Sequence, residues 1–271
     1  MKQLPIHVGL IALCAILSLV ACKKDDENAP GPPQQHLPNP LPAHALVKQL
    51  KWSENDHETM SYNAKGQVAQ LRSQWQYVAG DPSNIRTIVY DFQYDAQDRP
   101  VGVDLSDGYA VKYYYKGNRI DKTEELYPGG AVAREVAYFY QNDRLSHEIW
   151  KVSNLPVDPP DTYKFEFGYD AKGNLNLVKN YQLDSLQQYT LLETIEYSDF
   201  DDRINPTSWM LRYPYLPQMQ YQLNNPRKEV RYPAGGGSVT TNFQYEYNTQ
   251  DLPVSQQKTT NTGSLTTQYQ Y

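Results

Sequence analysis

The side chains that could do chemistry are few, and they are poorly grouped. Of five histidines, His36, His44, His57 and His147 lie beyond the first 21 residues. No two of these have the His-x-x-x-His spacing with which one helix face holds a metal. The chain contains neither a Gly-x-Ser-x-Gly nucleophile elbow nor a Gly-x-x-x-x-Gly-Lys phosphate loop. Gly235-Gly236-Gly237 precedes a strand-like segment, Val239 to Tyr247, so it reads as a turn and not as a phosphate cradle. Asp199-Phe200-Asp201-Asp202 offers hard oxygen ligands of the kind Ca²⁺ takes, but the spacing of a calcium loop is absent and an acidic turn has the same composition. Glu124, Glu125, Glu148, Glu166 and Glu196 fall on strand-like segments, where paired carboxylates would serve glycoside hydrolysis. Their alternation with Tyr and Phe fits the solvated face of a sheet better. Trp75, Trp150 and Trp209 are the candidate ligand-contacting aromatics, set against the simpler reading that cross-strand rings hold a sheet together. No catalytic residue, cofactor or metal is assigned.

The elements that must position these residues are strands. Phe165-Glu166-Phe167-Gly168-Tyr169-Asp170-Ala171-Lys172-Gly173-Asn174-Leu175 reads as strand, tight turn, strand. Side chains alternate faces along a strand, so Phe165, Phe167 and Tyr169 share one face. Asp170 can bond its own turn, and Gly173 can take the left-handed conformation such a turn needs. Related turns follow Tyr62, Tyr94, Tyr115, Tyr140, Tyr197 and Tyr247, with a weaker copy at Tyr221 and a last tyrosine at Tyr271. At the second of these, Asp98 stands where others have glycine, and Asp tolerates that region of backbone space. Return turns are expected at Ser106-Asp107-Gly108, Pro128-Gly129-Gly130, Ala234 to Gly237 and Asn261-Thr262-Gly263. Insertions are expected at 79–84, 153–161 and 213–217. The one short helical candidate is Ser208 to Arg212. The pattern predicts an all-β domain over residues 45–271, a single long, twisted and curved antiparallel meander of about sixteen to eighteen strands.

Composition agrees. Only 39% of residues are hydrophobic, while tyrosine alone supplies 24, a residue suited to a half-buried sheet surface. The net charge is −6, with no basic block, which argues against a nucleic-acid partner. The only cysteines are Cys14 and Cys22, so the folded body can have neither a disulfide framework nor a cysteine zinc site.

Ahead of the domain lies an address. Met1-Lys2 precedes an apolar run from Ile6 to Val20 that is too short to span a bilayer and reads as a signal peptide, residues 1–21. It ends in Leu19-Val20-Ala21-Cys22, which resembles a bacterial lipobox. That resemblance implies cleavage after Ala21 and lipidation of Cys22; an ordinary secretory signal with an incidental cysteine is the alternative. Lys23-Lys24-Asp25-Asp26-Glu27 resembles the surface-export signal of Bacteroidota lipoproteins, with a solvated charge run as the plain alternative. Residues 22–44 then carry Pro30, Pro32, Pro33, Pro38, Pro40 and Pro42, a tether that favours extended conformations.

Tyr169-Asp170-Ala171-Lys172-Gly173-Asn174-Leu175 is similar to the YD repeat of RHS-type proteins. Together with the lipobox, the tether, Asp202-Arg203-Ile204-Asn205-Pro206 and the terminal Tyr269-Gln270-Tyr271, it makes the chain resemble Bacteroidota surface lipoproteins with YD-like repeats. The resemblance covers residues 19–27 and 45–271. It implies an outer-membrane lipoprotein held by its lipid anchor, at the cell surface or alternatively on the periplasmic face. The toxin-enclosing role of large RHS proteins is not implied, because no toxin domain is attached. The expected function is a non-enzymatic binding or scaffold module, with a glycan or an envelope protein as candidate partner. A carbohydrate-active hydrolase and a purely structural spacer are the alternatives.

Overall fold

The computed structural model describes residues 42–78, 81, 83–142, 144–154, 157–207 and 222–271. Cys22, the tether to residue 41, the weak repeat at Tyr221, Trp209, the helical candidate at 208–212 and the insertion at 213–217 lie outside the described residues. All described residues belong to one compact unit, Gln35–Tyr271.

A short 3-10 turn, Ala43–Ala45, leads into sixteen strands. The first eight are β1 (Gln49–Lys51), β2 (His57–Tyr62), β3 (Val68–Gln76), β4 (Ile85–Tyr94), β5 (Pro100–Leu105), β6 (Ala110–Lys116), β7 (Arg119–Leu126) and β8 (Val132–Gln141). The rest are β9 (Arg144–Asn154), β10 (Val157–Tyr169), β11 (Leu175–Leu183), β12 (Tyr189–Ser198), β13 (Lys228–Pro233), β14 (Val239–Tyr247), β15 (Pro253–Thr260) and β16 (Gly263–Gln270). Each strand pairs antiparallel with its neighbours in sequence, as the repeat predicts. The expectation of an open meander is corrected: β1 pairs with both β2 and β16, and the sheet closes into a barrel. Only three residues do this, with Leu50 opposite Tyr269 and the Lys48 N–H donating to the Gln270 carbonyl at 2.7 Å. Closure joins the two edges that an open sheet would leave, over residues 49–51 and 268–270.

The turns follow one local rule. Asp95 Oδ1 accepts the N–H groups of Gln97 and Arg99, both at 2.9 Å, and the Asp95 N–H donates to the Arg99 carbonyl at 2.9 Å. Asn63 and Asn248 accept the same pair of N–H bonds, and Asp170 closes its turn in the same way. The fourth residue of each turn has positive φ: Gly66 at 74°, Asp98 at 63°, Gly173 at 96° and Asp251 at 59°. Asp184 builds the same turn at the other end of the sheet, with Gln187 in the fourth place at φ 60°, so Asp is a turn former on both ends.

Tyrosine carries the repeat inward. Tyr62, Tyr94, Tyr115, Tyr140, Tyr169 and Tyr247 each sit where the pairing of their own hairpin shifts register. Such a bulge twists the strand and re-aims the side chain. The Tyr94 hydroxyl donates to the Val68 carbonyl (2.6 Å), Tyr115 to Pro100 (2.6 Å), Tyr140 to Ile120 (3.0 Å) and Tyr169 to Leu145 (2.9 Å). In every case the acceptor is the cross-strand partner of the preceding anchor tyrosine. The series opens with Tyr62 on the Val47 carbonyl and ends with Tyr271 on that of Pro253. Around these rings Val47, Val103, Val111 and Val136 are almost fully buried, with Leu71, Phe92 and Tyr138 beside them. A round sixteen-strand cylinder would enclose water; here the inner face of β1–β9 carries a dry cluster.

The outer face is polar. Gln70, Arg72, Gln74, Asp91, Gln93, Lys112, Lys122, Glu124, Lys164, Glu166, Asn242, Gln244, Gln257 and Gln268 alternate with the buried positions of their strands.

Two expectations about loops change. Most of the 153–161 insertion is strand, because the ladder between β9 and β10 is irregular from Val157 to Asp161, where Pro159 and Pro160 have no N–H to donate. The described parts of the β12–β13 connection, 199–207 and 222–227, meet each other and neighbouring turn tips, with Ile204 bridged to Asn224, Lys172 on Asp202 at 2.7 Å and Arg203 on Asp251 at 3.0 Å.

A buried hydroxyl–carbonyl bond contributes about 1 kcal/mol, while truncating the whole ring costs about 3–5 kcal/mol. Tyr169→Phe is therefore expected to lower stability by about 1 kcal/mol and Tyr169→Ala by several, read from urea unfolding midpoints. A Tyr169→Phe protein as stable as the wild type would contradict the ladder.

Candidate functional site

The predicted aromatics separate. Trp150 on β9 points into the barrel and packs against the core. Its indole N–H donates to Glu148 Oε2 at 2.8 Å, the Arg134 guanidinium lies 4.6 Å from its ring centroid, and Phe165 tilts against it at 4.8 Å. Arg134 also pairs with Glu125 at 3.1 Å. Next to this group, Thr123 and Tyr138 share a buried hydroxyl–hydroxyl bond of 3.0 Å. The charges named here are paired with one another, an arrangement that fits the cross-strand scaffold reading of Trp150. Trp75 sits on β3 opposite Arg86, partly buried. Trp209 lies outside the described residues.

The five candidate carboxylates also divide. Glu125 and Glu148 face inward, and Glu148 is only 2% exposed. Glu124, Glu166 and Glu196 face outward, each with its own partner: Lys122 and Tyr114, Lys164 and Tyr181, and Tyr232. The Lys122 bond holds the Glu124 carboxyl below the usual range, and the Lys164 bond does the same for Glu166. The acidic cluster behaves as a turn. Asp201 accepts bonds from the Arg203 N–H and from the Tyr247 hydroxyl, while Asp202 pairs with Lys172. Among the described residues no group of three or more His, Cys, Asp or Glu is placed to hold a metal.

What sequence reasoning missed is the outer face. Lys122, Glu124 and Tyr114 form a square in which Tyr stands opposite Lys, and Glu two residues on accepts the Tyr hydroxyl at 2.6 Å. Lys164, Glu166 and Tyr181 repeat it on β10 and β11, with the hydroxyl bond at 3.0 Å. Thr194, Glu196 and Tyr232 form a third version that lacks the lysine, with the hydroxyl at 3.5 Å. These diagonal bonds lean the rings over the sheet. A register shift between Asn180 and Tyr181 hides Tyr181 from a simple alternation count.

At the turn tips opposite the tyrosine ladder the inner face meets solvent. Val239 and Leu265 share the inner face with buried Thr241 and Thr267, yet are 40% and 48% exposed. Further in, Arg231 pairs with buried Glu229 at 2.7 Å and reaches Glu193 at 3.5 Å.

The barrel has counterparts among solved structures. A porin-like protein from Bacteroides uniformis ATCC 8492 aligns over 83% of this chain and 97% of its own, with TM-score 0.58 and 11% identity. A porin-like protein from Bacteroides vulgatus ATCC 8482 aligns over 83% and 98%, with TM-score 0.57 and 12% identity. At such identities the likeness establishes the all-β barrel fold alone. TcdB2-TccC3 also aligns, over 79% of this chain but 12% of its own, with TM-score 0.21, which carries no argument for the YD resemblance. No family model matches the chain, and no curated protein matches it either.

Glu58 on the inner face of β2 has a titration signature that can be measured. Burial pushes its carboxyl up to about 7, against the partial offset of a bond from the Ser73 hydroxyl at 3.3 Å. A carboxyl raised in the folded state binds its proton there while the unfolded chain has released it. The stability it contributes is complete below about pH 4.5 and is lost as pH rises through about 7. Glu58→Gln is therefore expected to raise the melting temperature at pH 8, by an amount equivalent to about 1–3 kcal/mol, and to leave pH 4.5 nearly unchanged. Equal effects at both pH values would contradict this assignment.

Proposed function

We propose that the chain is a lipid-anchored envelope protein whose barrel works in water as a non-enzymatic binding or scaffold module, and not as a membrane pore. The observation that carries this reading is the polarity of the two faces. A membrane barrel presents an apolar band to lipid, with aromatic girdles, and lines its lumen with polar groups. This barrel reverses the arrangement, with Val103, Val111, Val136 and Phe92 inside and Arg72, Gln74, Lys112, Glu124, Lys164 and Gln244 outside. A charged side chain on the lipid face costs about 2–4 kcal/mol at the bilayer midplane, and here such residues occur from strand to strand. The Leu19-Val20-Ala21-Cys22 sequence supports a lipid on Cys22 as the membrane attachment, with the proline-rich residues 22–44 as tether. A hydrolase is less well supported, because the candidate acids are divided between the two faces and each is engaged by a neighbour.

Replacing Cys22 by alanine tests both halves of the proposal. The Cys22→Ala protein is expected to lose its lipid, to extract from membranes in alkaline carbonate and to keep a β-rich circular dichroism spectrum without detergent. A variant that stays in the membrane fraction after carbonate, or that needs detergent to remain folded, would overturn the proposal.

A further inference from the structure

The outer face carries one continuous strip unlike the rest of the surface. Phe139, His147, Glu166, Lys179, Thr194 and Tyr232 are successive cross-strand partners from β8 to β13. The next row along the strands places Ile149, Lys164, Tyr181 and Leu191 side by side. Six strands at about 4.8 Å spacing make a strip about 24 Å long. Its rings are presented to solvent: Phe139 is 40% exposed, Tyr232 41% and Tyr189 39%. They are also held in place. Phe139 stacks on His147 at 4.3 Å with 4° between the planes. The Lys164 ammonium lies 5.6 Å from the Tyr181 centroid and 5.5 Å from that of Tyr189, while its own partner is Glu166 at 2.6 Å.

The chemistry of this strip restricts its occupant. A peptide cannot add as a strand in the middle of this strip, because β9, β10 and β11 are hydrogen-bonded to a neighbour on both sides there. A protein partner would need a contiguous apolar centre, whereas these rings are separated by ion pairs and hydroxyls. Lys164 pairs with Glu166, and Glu196 at the border of the strip offsets Lys179, so the surface holds no block of positive charge to recruit a polyanion. What remains is a row of ring faces, whose negative quadrupole attracts polarised C–H groups, alternating with hydrogen-bonding groups. That alternation matches a polymer of pyranose rings, with C–H faces and hydroxyl edges. We infer that the β8–β13 strip is a docking surface for a linear, uncharged polysaccharide laid across the strands. The inference rests on the binding-module reading above and names the class of ligand.

The test is affinity electrophoresis of the full mature lipoprotein in a detergent without a sugar headgroup, through native gels containing hydroxyethylcellulose, dextran or yeast mannan. Retardation by at least one of these is expected. Tyr181→Ala and Tyr232→Ala are each expected to weaken it about 10-fold, and Tyr181→Phe, which keeps the ring, to bind nearly as wild type. Tyr114→Ala, which removes a similar ring on β6 outside the strip, is expected to change nothing. Tyr232→Leu serves if an alanine variant does not fold, as judged by circular dichroism. No retardation by any of the three polymers, retardation indifferent to the Tyr181 and Tyr232 variants, or stronger retardation by polygalacturonate would overturn the inference. A blank result with a barrel that stays soluble without its lipid would remove the polysaccharide and leave the water-facing module standing.

Discussion

The register of the sheet rests on a ladder of bonds from Tyr94, Tyr115, Tyr140 and Tyr169, each to the carbonyl one hairpin back. In a strand, slipping the register by one residue exchanges the two faces completely. Each of Tyr94, Tyr115, Tyr140 and Tyr169 sits at a bulge and reaches the residue that pairs with the tyrosine before it. Register is therefore handed from hairpin to hairpin from β2 to β11; Tyr247 turns to Asp201 instead, and Tyr271 takes up the pattern again. With it goes the choice of which side chains are inside. The ladder starts at the Val47 carbonyl beside β1 and ends with Tyr271 after β16, so its two ends lie where the barrel closes.

That choice of faces separates fold from habitat. The porin-like Bacteroides structures share the barrel over most of both chains, but a barrel meets lipid only if its outer face is apolar. Here the rows of Gln, Lys, Glu and Thr on the outside and the valines and phenols within are suited to water. The closed sheet also shortens the exposed edges that would otherwise favour aggregation. On the proposed reading, binding is sought on side-chain surfaces, first of all the outer strip on β8–β13.

Much of the fold was legible in the residues because its rules are local. Asp170 and Gly173 announced the turn, Asp98 took the glycine's place with φ 63°, and counting two strands per repeat reached the observed sixteen. Closure was not legible, since it depends on a three-residue strand whose partner lies at the far end of the chain. Nor was Pro159-Pro160 read as strand, because the irregular pairing that excuses them is set by β9. The candidate site was less legible. The tryptophans offered a ligand-contacting reading beside the simpler scaffold one, and Trp150 lies inside beside Arg134 and Glu148; among the described residues the exposed outer rings include Phe139 and Tyr232, whose faces are set by strand pairing that composition does not reveal.

The most direct measurement exploits the scarcity of cysteine, Cys14 and Cys22 being the only ones in the chain. Single cysteines placed by Gln74→Cys, Lys179→Cys and Gln244→Cys on the outer face, and by Val103→Cys and Val136→Cys on the inner face, can be reacted with a membrane-impermeant maleimide on the membrane-attached protein. The three outer positions are expected to label rapidly, and the two inner ones only after unfolding. Protection of the outer positions by the membrane, with labelling of the inner ones in the native state, would contradict the account.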